Sequence, residues 1–155
     1  MNEEKGMTII VKTITRFTVW LIFLYGLYII IHGHLTPGGG FAGGVIISLS
    51  FVHLTLAYGK DFFLKRHKIS TLHNIEAGGA LAFVIIGILG IAWTGSFLAN
   101  FISTGKLFTL KSAGVIPLLN IAIGAKAGTA LYLVFYYLVT HRSFIQKSES
   151  EGEIK

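Results

Sequence analysis

Four long apolar runs separated by short polar stretches make up most of the chain. The first covers about residues 13–31 and carries no charge from Phe17 to Ile31. The others cover about 39–58, 75–99 and 114–139. Each reaches the roughly 20 residues that take an α-helix across a bilayer. The pattern predicts an all-α integral membrane protein with four transmembrane helices. The first run is longer than the core of a cleaved leader and no small-residue cleavage site follows it, so a retained helix is expected. Residues 1–142 read as one membrane domain and residues 143–155 as a polar tail.

The shortest connection, His32–Gly38, opens the stretch HGHLTPGGGFAGG. Thr36 is placed to cap the second helix, with Pro37 in its first turn. Gly39 and Gly43 are four apart, as are Gly40 and Gly44. Small residues at that spacing let helices approach closely in lipid. The run either packs helices alone or exposes backbone to an ion or water path, where irregular backbone is tolerated. Gly78, Gly79, Gly87 and Gly90 give the third helix a similar small-residue pattern.

The second connection, 59–74, is basic, with Lys60, Lys65, Arg66 and Lys68 against Asp61. Residues 100–113 carry Lys106 and Lys111. Counted by side, ten Lys and Arg fall with the termini and the second connection, and two fall opposite. Positive residues accumulate on the cytoplasmic side, so both termini are expected there and the chain crosses the cell membrane several times.

Composition agrees. Hydrophobic residues are 53% and charged residues 13%, about half the usual charged fraction. The absence of cysteine removes disulfides, iron–sulfur ligation and thiol chemistry from this chain. The net charge of +6 lies in short segments between apolar runs. It reads as topology or contact with anionic lipid, not as nucleic-acid binding.

Lys126 is the most informative single residue. It lies near the middle of the fourth run, roughly 18 Å from either end at 1.5 Å per residue, too deep for its side chain to reach the interface. A charge at the bilayer centre costs at least ~2.5–3.5 kcal/mol. The ammonium must meet a partner, face water or lose its proton. Glu76 is the only acid in a predicted span and lies nearer the cytoplasmic end, so the partner or water path is expected from another subunit. Gly124 and Gly128 share a face about 200° from Lys126 at ~100° per residue. One face can therefore pack while the other presents the charge.

The other candidates carry alternatives. His53 could relay protons or simply bond a neighbouring helix. Glu76 could be a proton-path carboxylate or an acid favoured by the helix N-terminus. Ser48, Ser50, Thr55, Thr94 and Asn120 read as interhelical hydrogen-bonders. His32 and His34 lack a nearby Cys, Asp or Glu to complete a metal site, so a surface or proton-entry role is expected. No catalytic constellation, metal site or cofactor is expected. Haem ligation would need paired histidines at matching depth on facing helices, and only His53 lies well inside a span.

The run His32 to Gly44 meets every fixed position of G-H-x-x-P-G-G-G-F-x-G-G. It strongly resembles the signature of MnhB/MrpB proteins, small subunits of multisubunit Mrp-type cation/proton antiporters. The likeness extends over most of the chain, including the Ala57–Gly59 end of the second helix. The resemblance implies large antiporter-like subunits as partners, Na⁺ and H⁺ as the ions of the whole assembly, and no catalysis by this chain. Similar subunits serve the sodium-translocating arm of archaeal membrane-bound hydrogenases and sulfane reductases, which adds an iron–sulfur peripheral arm as a partner. On this reading Pro37, Gly38, Gly39, Gly40, Phe41, Gly43 and Gly44 shape an interface beside an ion path. His34 is its titratable member, with Lys126, His53 and Glu76 along the path. The stretch GVIPLLNIAIGAKAG, with Lys126, is more similar to the archaeal respiratory versions. Four Asn, one Gln and no Cys suit a thermophile. A stand-alone antiporter component and a purely structural scaffold are the competing readings.

Overall fold

The computed structural model of the chain describes residues 7–59, 69–106, 108–109 and 112–152, with backbone alone over 143–152. The basic residues Lys60, Lys65, Arg66, Lys68 and Lys111 lie outside the described residues. Four helices form: α1 Ile9–His32, α2 Gly40–Tyr58, α3 Ile69–Thr94 and α4 Ile116–Gly152. All four, α4 through Ile116–Arg142, are long and apolar enough to cross a membrane. Consecutive helices run antiparallel. The start of α1 meets the end of α2, where Met7 N–H donates to the Ala57 carbonyl and the Tyr58 hydroxyl to the Lys12 carbonyl. The start of α3 meets α4 near the end of its Ile116–Arg142 span, through His73 and Tyr137.

α1 begins at Ile9, four residues before the expected start near 13, and the expected boundaries shift further at three other places. α3 begins at Ile69, not near 75, because the polar Ser70, Thr71, His73 and Asn74 extend the helix beyond its apolar run. It stops at Thr94, not 99, because Gly95 turns to φ 79°. Residues 95–100 then fold back along α3. Leu98 N–H reaches the Gly87 carbonyl, and the Phe97 ring fills the place a side chain on Gly87 would take. Gly87 and Gly90 thus receive their own connection instead of another helix. α4 continues to Gly152, with no Pro or Gly between Gly128 and Gly152 to stop it.

The helices stand in the order α1, α2, α4, α3, with α1 also touching α4 where Ile30 lies against Gly124; among the described residues α3 makes its extensive helix contacts with α4 alone. The inner members are accordingly the more covered, with 39% of the α2 span and 33% of the α4 span buried against 17% for α3. Glycines set the spacing. A methyl group on Gly43 would lie 2.7 Å from the Gly26 carbonyl oxygen of α1. One on Gly44 would lie 2.8 Å from the Gly124 carbonyl oxygen of α4, and one on Gly128 would lie 3.2 Å from that of Gly44. α2 thus presents Gly43 to one neighbour and Gly40 and Gly44 to the other. Backbones this close gain dispersion along the whole crossing, the main attraction available where lipid is as apolar as the helix.

Below that crossing, α2 and α4 share a buried polar bond. Thr55 Oγ1 and the Tyr132 hydroxyl are 2.9 Å apart, and Thr55 also donates to its own Phe51 carbonyl at 2.8 Å. Tyr132 is 1% exposed. Tyr132→Phe should lower stability by about 0.5–1.5 kcal/mol, the range of interhelical bonds in membranes, read by detergent-denaturation of the purified chain. Of the other polar residues expected to bond between helices, Ser50 and Thr94 bond carbonyls of their own helix, Ile47 and Gly90. A short hydroxyl reaches i−3 or i−4 more readily than a neighbour.

Candidate functional site

The glycine stretch builds a closed hairpin at one end of the row. Leu35 and Thr36 N–H groups both donate to the His32 carbonyl. The Thr36 hydroxyl also turns back to that carbonyl at 3.2 Å, so it does not cap α2 as expected. Gly38 (φ 144°) and Gly39 (φ 90°) take the chain through conformations that a side chain disfavours. Pro37 therefore falls before the helix, and Gly39 is its N-cap.

The cap comes from α4. Asn120 Oδ1 accepts the Gly40 N–H at 3.2 Å, across a contact so close that a methyl on Gly40 would collide with the Asn120 backbone. A helix N-terminus leaves its first N–H groups unsatisfied, and lipid supplies no substitute. Asn120 does what Thr36 was expected to do, from a position 80 residues away in sequence. Its Nδ2 is buried without a partner among the described residues.

His34 joins this end to the third connection. Its Nε2–H donates to the Thr109 carbonyl at 3.3 Å, and its Nδ1 is buried without a partner among the described residues. His32 Nδ1–H donates to the Tyr28 carbonyl, and the ring stacks on Tyr28 at 4.1 Å between centroids. The two histidines therefore face different partners. Among the described residues no cluster of three His, Cys, Asp or Glu could hold a metal.

At the opposite end of α3 lies a short polar chain. The Tyr137 hydroxyl and His73 Nε2 share a hydrogen bond at 3.0 Å, and His73 Nδ1 stands 3.8 Å from Glu76 Oε2. His73 escaped the sequence reading because it falls before the apolar run. The i, i+3 spacing of His73 and Glu76 was the available signal. Glu76 thus lies beside His73 of its own helix. His53 is half-buried on α2 and bonds none of the described residues.

Lys126 stands apart from all of these. Helix α4 packs Gly124 against Ile30 of α1 and Gly40 of α2, and Gly128 against Gly44 of α2, so their shared face is the packed one. On the other side it meets α3 at Gly79, where a methyl would lie 3.0 Å from Lys126 N and 3.2 Å from Lys126 Cβ. Because α2 and α3 are not neighbours, a cavity of about 550 Å³ opens between them over α4. Phe41, Phe83, Val84, Ile123 and Leu131 line it, with Lys126 as its one charged member. Lys126 lies ten residues after Ile116 and sixteen before Arg142 in the α4 span, nearer the hairpin end than its run suggested. No ion pair or hydrogen bond joins Lys126, His34, His53 and Glu76 to one another among the described residues.

Such a molecule is a multi-pass membrane protein whose polar groups, among the described residues, are dispersed along the helices. Lys126 faces outward from the row. The chain belongs to the family of domains related to the MnhB subunit of Na⁺/H⁺ antiporters, which matches residues 10–142. It is 35% identical over 143 residues to an uncharacterized protein of Methanocaldococcus jannaschii, a match covering 87% of this chain and 54% of that one. It is 35% identical over 100 residues to a Na⁺/H⁺ antiporter subunit of Bacillus subtilis, covering 64% of this chain and 69% of the relative. Among solved structures it is similar to a chain of the membrane-bound sulfane sulfur reductase, an archaeal respiratory membrane complex. That match has a TM-score of 0.66 and 32% identity, and covers 85% of this chain and 60% of the other. The chain therefore spans little more than half the length of the Methanocaldococcus relative and three-fifths of the matched chain in the complex.

Proposed function

We propose that the chain is a non-catalytic membrane subunit of a Na⁺/H⁺ antiport module, within the ion-translocating arm of an archaeal respiratory complex. Large antiporter-like subunits and an iron–sulfur peripheral arm are its partners. The observation that carries this reading is Lys126: a lysine at membrane depth, on the outer face of a glycine-packed row, with no acid paired to it among the described residues. A self-contained protein gains nothing from that arrangement, whereas a subunit can place the charge against a neighbour's ion path. His34 at the hairpin, His53 on α2 and Glu76 with His73 are secondary candidates along the path. Both termini are cytoplasmic on this reading, by the distribution of Lys and Arg. The likeness to the Bacillus protein favours a second reading, a stand-alone antiporter with the same ions and no redox arm.

Affinity purification of the tagged chain in mild detergent separates the two. Co-purification of iron–sulfur subunits supports the respiratory arm, antiporter subunits alone support the second reading, and recovery of the chain by itself overturns both. In vesicles bearing the complex, Lys126→Ala should lower sodium-driven proton movement per assembled particle at least about tenfold, as expected for removing one partner of a desolvated charge pair. Unchanged transport in Lys126→Ala and His34→Ala would leave the chain a scaffold.

A further inference from the structure

We infer that the groove between α2 and α3 over α4 seats a transmembrane helix of a different subunit, and that this helix carries an Asp or Glu at the depth of Lys126. The inference rests on the proposed role within an assembly and names the surface and the chemistry of the partner. Three observations converge on it.

The first is the shape of the row. A closed bundle would bring α3 against α2, but here, among the described residues, α3 makes its extensive helix contacts with α4 and leaves a cavity of about 550 Å³ beside it. Side-chain ridges of one further helix fit such a channel.

The second is its chemistry. Apart from Lys126 the lining is aliphatic and aromatic, and Phe41 at the hairpin end is 63% exposed. Water held at that depth would need several polar partners, and the groove supplies one. Acyl chains could fill the apolar part but bring no negative charge. Lipid phosphates remain at the interface, about 15 Å from Lys126 at 1.5 Å per residue. A carboxylate on an apolar helix meets both demands.

The third is that no acid pairs with Lys126 among the described residues. Glu76 is the only acid within a span, and the basic side chain nearest to it there is His73, at 3.8 Å on its own helix. Glu76 lies one turn from Gly79, toward the opposite end of the row. Helical Cα–Cβ bonds tilt toward the N-terminus, so Lys126 starts out toward the hairpin and away from Glu76. A second copy of this chain would present the same Glu76 at the same depth and repeat the mismatch.

The chain has no native cysteine, so single cysteines report position directly. Val84→Cys and Leu131→Cys in the groove, with Trp20→Cys on α1 as the distant control, would carry a photo-crosslinker in the intact complex. The groove positions should crosslink to one other membrane subunit, in a span containing Asp or Glu. Lys126→Glu should reduce recovery of that subunit at least about tenfold, as breaking a desolvated pair requires, and exchanging its carboxylate for Lys should restore recovery. If Lys126→Glu does not accumulate, Lys126→Met keeps the length without the charge and should reduce recovery by a smaller factor. Crosslinks to lipid alone, to a second copy, or only from Trp20→Cys would overturn the inference while leaving the proposed role intact. So would undiminished partner recovery with Lys126→Glu, or with Lys126→Met in its place. Recovery of the chain with no other subunit would overturn the role itself.

Discussion

Gly44→Val should destabilise the chain by about 3 kcal/mol or more, the upper end of what overpacking costs, because the obstruction is backbone and not a movable side chain. The Gly44 Cα faces α4, where an added methyl already stands 2.8 Å from the Gly124 carbonyl oxygen and 3.1 Å from Gly128 N. Relief requires α2 and α4 to separate along the whole crossing. Separation also pulls Gly40 from Asn120 and Thr55 from Tyr132, the two polar bonds on either side. Folded fraction measured in mixed mild and denaturing detergent would show the loss. Gly78→Ala is the matched control. Nothing lies within 4 Å of its added methyl, so stability should hold or rise by up to about 1 kcal/mol from helix propensity. Equal losses from both substitutions would mean that glycine serves this protein through backbone freedom and not through close approach.

Asn120→Ala should cost about 1–3 kcal/mol, the range for a buried donor left without an acceptor. It removes the oxygen that takes the Gly40 N–H at the start of α2. Two local features raise the expected value. Gly39 has no side chain with which to cap the helix itself, and Thr36 is already committed to the His32 carbonyl. Asn120→Asp keeps the acceptor and gives up only Nδ2, which has no partner among the described residues, and a negative charge at a helix N-terminus is favourable. Asp should therefore recover part of the loss. Hydrogen exchange at Gly40 and Phe41 would locate the effect. Accelerated exchange there in Asn120→Ala, with the rest of α2 unchanged, is the expected signature; a uniform change would show that Asn120 acts by packing instead.

The hairpin shows how far residue-level reading goes. The stretch from His32 to Gly44 was legible as a turn feeding a small-residue helix, and its likeness to the MnhB signature led to the family that the chain belongs to. Each glycine's task was not legible. Gly38 and Gly39 serve the backbone turn, Gly40 and Gly44 admit α4, and Gly43 admits α1. The spacing of four marked small faces without naming the helix each would meet. Lys126 was readable as a charge opposite the Gly124 and Gly128 face, and the groove around it was not. Asn120 was readable as a polar residue needing a partner, and that partner proved to be a backbone group on another helix.

The sequence by itself determined the number of spans, their approximate lengths and the family, because bilayer thickness fixes how much apolar chain must be continuous and the motif is dense in fixed positions. Tertiary structure alone decided the order α1, α2, α4, α3, the return of residues 95–100 onto Gly87 and Gly90, and the bond of His73 to Tyr137. The physical reason is common to all three. A helix in lipid is apolar on every side, so hydrophobic periodicity does not mark its packed face. Partner choice then falls to backbone approach distance and to a few polar groups, which act only once the helices lie side by side.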